Sequence, residues 1–237
     1  MKKTYLFAAI ASIVAINAHA VSLDLRGQYK TESEAYESRA LLAHEWSNGI
    51  GGSVEYTVNN TSAAGEGIDQ ALWKDTEWAL TYKYKLNDTV TLIPSFLFQD
   101  TKTKGDFYKY GFQTNWAFAP TWRLDGRVRY EYKQSESKDI NKKLDNDSTT
   151  RTDLWLRKSF DTAIDGYYNF RWDHKLNDYQ YADKSSNLYE HNFGVSYKVN
   201  STFKPYGEIG YLPDAVKNTT GGVDDDWRIR LGVAINF

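Results

Sequence analysis

Residues 122–133 read Trp122-Arg-Leu-Asp-Gly-Arg-Val-Arg-Tyr-Glu-Tyr-Lys133, with an apolar residue or glycine at every even position and a charge at every odd one. A β-strand sends successive side chains to opposite faces, so this stretch shows one face to hydrocarbon and the other to water. A helical period of 3.6 would mix the two classes on every face. Alternating blocks of about ten residues recur from Val21 to Phe237, joined in turn by short and longer polar connectors, the pattern of an outer-membrane barrel. The expected fold is all-β: a single transmembrane antiparallel up-and-down β-barrel of about 12 strands.

The alternation places strands near 22–30, 35–46, 49–59, 71–85, 89–99, 106–118, 121–133, 150–160, 163–175, 187–199, 202–211 and 226–237. Ser47-Asn48, Leu86-Asn87-Asp88, Ala119-Pro120, Asp161-Thr162 and Asn200-Ser201 are the tight connectors, rich in turn-forming types. The longer ones are 31–34, 60–70, 100–105, 134–149, 176–186 and 212–225. Short turns on the periplasmic side, longer loops outside and both termini inside follow from an even strand count. Pro94 and Pro205 fall within expected strands and cannot donate to a ladder, so each should mark a bulge.

Ahead of the barrel, Lys2 and Lys3, an apolar run from Tyr5 to Ile16, and Ala18-His19-Ala20 read as a secretory signal with its cleavage site. Residues 1–20 are the expected cleaved signal peptide and 21–237 the barrel. The run falls short of the ~20 residues that a spanning helix needs. Taking Lys2 and Lys3 from the 29 basic residues leaves 27 against 31 acidic ones, a formal charge of −4, which speaks against a nucleic-acid partner. There are no cysteines and no Pro- or Ser-rich linker.

Aromatic residues make up 16% of the chain, and Trp46, Trp78, Trp116, Trp122, Phe160 and Trp227 sit toward strand ends, where rings favour a membrane–water interface. The chain ends in an alternating segment from Trp227 to Phe237. A terminal strand closed by Phe is like the signal read by the barrel-assembly machinery of Gram-negative outer membranes. Lipid and lipopolysaccharide are then the surroundings, and the localisation is a multi-pass outer-membrane one.

With the apolar parity outward, all ten arginines fall on the inward parity: Arg26, Arg39, Arg123, Arg127, Arg129, Arg151, Arg157, Arg171, Arg228 and Arg230. Exclusion from lipid, worth about 2–4 kcal/mol per Arg at the midplane, explains their facing inward but not their distribution. They occupy strands 12, 1 and 2 on one side and 7, 8 and 9 on the other, which puts two basic walls face to face across a narrow bore. A positive lumen concentrates anions, and the guanidinium fork matches a carboxylate. The same parity carries Asp24, Glu37, Glu55, Glu77, Asp125, Glu131, Asp153, Asp165, Asp173 and Glu208, so a structural, ion-paired lumen stands beside the anion-path reading. Tyr167 and Tyr206, also inward, either stack on sugar rings or fill space.

Other chemistry is thinner. Asp224-Asp225-Asp226 reads as a solvated acidic run rather than a cation site. His44, His174 and His191 are the histidines of the mature chain, and no Gly-x-Ser-x-Gly elbow accompanies them. His44 and His174 read as interfacial, and His191 as an isolated residue near an outer strand end. No catalytic residue, metal ligand or cofactor is expected.

Six short motifs occur in order: Leu23-Asp24-Leu25-Arg26-Gly27, Ala35-Tyr36-Glu37-Ser38-Arg39, Arg127-Val128-Arg129-Tyr130, Asn177-Asp178-Tyr179-Gln180-Tyr181-Ala182, Pro205-Tyr206-Gly207-Glu208 and Arg230-Leu231-Gly232-Val233. With them the chain resembles the KdgM-type family of oligogalacturonate-specific porins, which includes a sialic-acid channel. The resemblance implies a monomeric twelve-strand barrel that passes acidic sugars along facing basic tracks. It implies a pore-lining role for Arg26, Arg39, Arg127, Arg129 and Arg230, while Arg157, Arg171 and Arg228 join the path on parity. The expected function is passive, anion-selective diffusion of acidic oligosaccharides, oligogalacturonates first. Sialic acid or another anionic sugar is the alternative substrate, and a catalytic outer-membrane barrel is the rival class.

Overall fold

The computed structural model describes residues 21–60, 71–102, 105–134 and 147–237, and among them there is no helix. The signal-peptide reading of residues 1–20 therefore lies outside the described residues, as does most of the connectors at 60–70 and 134–149. Twelve antiparallel strands follow one another: β1 (Val21–Lys30), β2 (Ala35–Glu45), β3 (Ile50–Asn59), β4 (Leu72–Tyr82, continued by Tyr84–Lys85), β5 (Val90–Thr101), β6 (Asp106–Ala119), β7 (Trp122–Gln134), β8 (Asp147–Ser159), β9 (Ile164–Lys175), β10 (Asn187–Tyr197), β11 (Phe203–Lys217) and β12 (Val223–Asn236). Each pairs with its sequence neighbours, and β12 pairs with β1 from Ser22↔Asn236 to Lys30↔Arg228, so no edge is left open to lipid.

Alternation decides the faces as expected. In β7, Val128 is 53% exposed and Tyr130 40%, while Asp125 is 1% and Glu131 7%. The apolar set is the lipid face and the charged set the lumen. Trp46, Trp116, Trp122 and Phe160 gather around the periplasmic turns, whereas Trp78 and Trp227 lie within β4 and β12 rather than at strand ends.

Three periplasmic turns share one device, an Asn or Asp whose side-chain oxygen accepts two backbone N–H groups. Asn87 takes those of Thr89 and Val90 at 2.9 and 2.8 Å, Asp161 those of Ala163 and Ile164 at 2.7 Å each, and Asn200 those of Thr202 and Phe203 at 2.8 Å each. The turn after β2 uses Gly49 at φ +85, where a Cβ would stand 2.6 Å from the Lys83 carbonyl oxygen.

Neither Pro94 nor Pro205 makes a bulge, since Pro94↔Phe112 and Pro205↔Val233 lie in unbroken registers. Each stands instead where its strand's other ladder stops. β4 is interrupted at Lys83, between the pairs Thr81↔Ser95 and Tyr84↔Leu92, and the β10–β11 ladder ends at Ser196↔Tyr206. A missing N–H costs nothing where no partner carbonyl is in register. The bulge belongs to Pro213: β11 and β12 run on through most of the stretch expected as a loop at 212–225, with a register shift between Leu212 and Val216 and Asp214 at φ +51.

Candidate pore lining

All ten arginines lie on the face shared with Asp125 and Asp153, on β12, β1 and β2 and on β7, β8 and β9. Register fixes this: Arg127 faces Asp153 and Gln113, Arg171 faces Asp153 and Glu190, and Arg230 faces Glu208 and Gln28.

Most of these arginines are ion-paired. On β7 to β12 the pairs form three chains along the wall. Asp125 joins Arg123 (2.8 Å) to Arg157 (2.6 Å). Glu131 joins Arg129 (2.6 Å) to Arg151 (3.4 Å), which reaches Asp173 at 2.7 Å. Asp153 joins Arg127 (2.7 Å) to Arg171 (2.9 Å), which continues through Glu190 to Arg228 and through Glu208 to Arg230. Eight guanidinium groups thus share six carboxylates, and the excess sits in the first and third chains. On the opposite wall Arg39 pairs with Asp24 and Glu55. The Arg26 side chain makes no ion pair or hydrogen bond among the described residues, and its Nε is buried without a partner.

Among the described residues, every ion pair joins groups on one strand or on strands at most two apart; none crosses the bore. The longest reaches, Arg228 to Glu190, Lys109 to Glu77, Lys204 to Asp165, Lys74 to Glu37 and Lys83 to Glu45, each pass over one intervening strand. Large side chains are thereby held flat against the wall. A cavity of about 610 Å³ lies in the periplasmic half of the lumen, where Arg26 and Arg39 of one wall and Arg123 and Arg157 of the other share one space with Arg230, Tyr167 and Tyr206. A larger cavity of about 1100 Å³ at the periplasmic rim of β1–β4 contains no arginine.

The eight arginines expected along the path are therefore not equivalent. Arg26, Arg39, Arg157 and Arg230 border the cavity. Arg127 and Arg171 stand between it and the outer mouth, bonded to the two oxygens of Asp153. Arg129 and Arg228, 6% and 3% exposed, are sunk into the wall. Two groups were missed by attending to arginine among cations and to tyrosine among inward rings. Lys30 shares the Arg26 face of β1 and makes no ion pair among the described residues. Trp155, inward on β8, carries the Arg127 guanidinium 5.1 Å and the Arg157 guanidinium 5.7 Å from its ring centre. The parity of β1 and β8 already contained both.

At the outer mouth Lys175 bonds Asp147 and lies 5.3 Å from the centre of the Tyr181 ring in the loop after β9. Burial, then Asp173, raises the pKa of the Tyr181 hydroxyl. The three aspartates of β12 are separated by strand parity. Asp224 accepts from Asn218, Asp225 from Tyr211 and the Asp214 N–H, and Asp226 from Thr31, Ser33 and the Glu32 N–H in the turn after β1. His44, His174 and His191 all take the outward parity. His191 is within β10 rather than at its end, and its Nδ1 lies 2.8 Å from the Tyr168 hydroxyl.

The family model described as "Oligogalacturonate-specific porin protein (KdgM)" matches residues 14–237. The N-acetylneuraminic acid outer membrane channel protein NanC of Escherichia coli K12 is 27% identical over 227 residues, covering 93% of this chain and 92% of its own. The oligogalacturonate-specific porin KdgM of Dickeya dadantii is 27% identical over the whole of both chains. A solved NanC porin superposes with a TM-score of 0.77 at 25% identity, over 91% of this chain and 100% of that one. With a closed twelve-strand barrel and a lumen of this composition, the chain belongs to the KdgM family of outer-membrane porins.

Proposed function

We propose that this protein is an anion-selective pore through which acidic oligosaccharides, oligogalacturonates first, cross the outer membrane passively, along a path bordered by Arg26, Arg39, Arg127, Arg129, Arg157, Arg171, Arg228 and Arg230. The observation that carries the reading is the arrangement of charge. The ion pairs lie along the wall, the bore stays open, and guanidinium groups outnumber the carboxylates that bind them. The cavity arginines meet the solute, while buried Arg129 and Arg228 hold the wall behind the path. A pore of this type acts as a monomer, assembled through the strand that ends at Phe237 and surrounded by lipid and lipopolysaccharide. N-acetylneuraminate is the second candidate substrate, favoured by the likeness to NanC.

The rival catalytic reading loses its support in the positions of the histidines. All three take the outward parity, so none projects into the lumen beside Asp153 or Glu190, and a general base needs hydrogen-bond reach of the group it activates. In planar bilayers, oligogalacturonates added to one side should block the chloride current in a saturable way, while neutral galactose oligomers should not. Equal behaviour of charged and neutral sugars would remove the substrate assignment.

A further inference from the structure

Two inward tyrosines rest on glycines of the next strand and bond a carboxylate one strand further on. Tyr167 of β9 crosses its register partner Gly194 on β10, and its hydroxyl donates to Glu208 on β11. Tyr206 of β11 crosses Gly232 on β12, and its hydroxyl donates to Asp24 on β1 at 3.0 Å. A Cβ on Gly194 would stand 2.3 Å from Cε1 and Cζ of Tyr167 and 2.6 Å from its hydroxyl oxygen. The ring can lie flat only because that position has no side chain.

The Arg157 guanidinium lies over the Tyr167 ring, 5.2 Å from its centre. Arg157 is fixed by Nε to Asp125 at 2.6 Å and flanked by Trp155, and neither Nη nitrogen bonds a described residue. Gly194 thus lies against the Tyr167 ring, and the ring lies against a guanidinium whose Nη groups bond no described residue. Arg157 and Arg26, the latter without an ion pair among the described residues, both line the cavity of about 610 Å³, a volume in the range of small-ligand sites.

We propose that Gly194 is a positioning residue for a discrete subsite for one carboxylated sugar ring in the periplasmic half of the bore, where the flat Tyr167 ring holds the Arg157 fork toward the lumen. The proposal rests on the porin reading and adds that the path contains a binding step, not a uniform field. The carboxylate of the sugar takes the two free Nη groups of Arg157 in bidentate fashion, and Arg26 supplies the second positive charge.

The test is block of single-channel chloride current by D-galacturonate and, separately, by N-acetylneuraminate, with galactose as the uncharged control. Gly194→Ala should lower conductance, because the lifted ring enters the bore, and should raise the half-blocking concentration of the acidic sugar about tenfold, the loss of one charge-assisted contact. Tyr167→Ala, which adds no bulk, should weaken block similarly without lowering conductance, and Tyr167→Phe, which keeps the ring, should block like the parent. In Gly194→Ala/Tyr167→Ala conductance should return while block stays weak. Parent-like block in Gly194→Ala or Tyr167→Ala, or block restored in the double variant, would overturn the subsite and leave the porin reading standing. A parent blocked by neither acid would overturn both. Whichever acid shows block that these variants weaken is the one the subsite takes.

Discussion

Replacing Asp153 by Asn will destabilise the folded barrel by about 3–5 kcal/mol, the cost of leaving buried charges without their counter-ion. The Asp153 side chain is 0% exposed and holds Arg127 through one oxygen and Arg171 through the other. An amide of the same shape keeps one acceptor and turns its NH₂ group toward a guanidinium. The damage passes along the chain of pairs, because Arg171 also shares Glu190 with Arg228. Urea unfolding in lipid vesicles measures it directly. Asp88→Asn, in an exposed turn, serves as the matched control and should shift stability by no more than about 0.5 kcal/mol. Equal midpoints for the two variants would mean that the wall of ion pairs does not stabilise the barrel.

The second large effect separates arginines that conduct from arginines that hold the wall. Arg26→Gln should leave stability unchanged or improved, since the Arg26 guanidinium makes no ion pair among the described residues and its buried Nε has no partner. It should cut anion preference sharply, because an unpaired unit charge at 4 Å in water is worth about 1 kcal/mol, or about fivefold in local anion occupancy. Arg129→Gln should do the reverse: lower stability, since Glu131 loses a partner at 2.6 Å, with little change in selectivity from a group sunk in the wall. Reversal potentials and urea midpoints of the two variants resolve this, and identical profiles would contradict the division.

Period-two alternation carried most of the fold, because lipid on one face and water on the other leave little freedom in which residues point inward. It failed where local chemistry looked like a loop. Pro213-Asp214 and the acidic run at 224–226 read as a connector, yet β11 and β12 continue past a bulge to a tight turn in which Asn218 N–H bonds the Gly222 carbonyl at 3.1 Å and Gly221 takes φ +88. Proline was misread in the same way: Pro94 and Pro205 needed an unpaired ladder position, not a bulge.

The candidate site was legible as a face but not as a set of partners. Parity put Arg129 and Arg157 on the same wall. One is buried against Glu131 and the other stands on Trp155 and Tyr167, because each outcome depends on side chains one and two strands away. Gly194 gave no signal of its own in the sequence. Its meaning comes from being the register partner of Tyr167, which only the paired sheet reveals.

The central claim is that a bore lined mostly by ion pairs still carries a net positive field, because guanidinium groups outnumber the carboxylates that bind them. The most direct measurement is the reversal potential of the unmodified protein across a potassium chloride gradient, at low and at high salt. The account predicts chloride preference that fades as the screening length falls from ~10 Å at 0.1 M to ~3 Å at 1 M. Potassium preference, or no preference at 0.1 M, would contradict it.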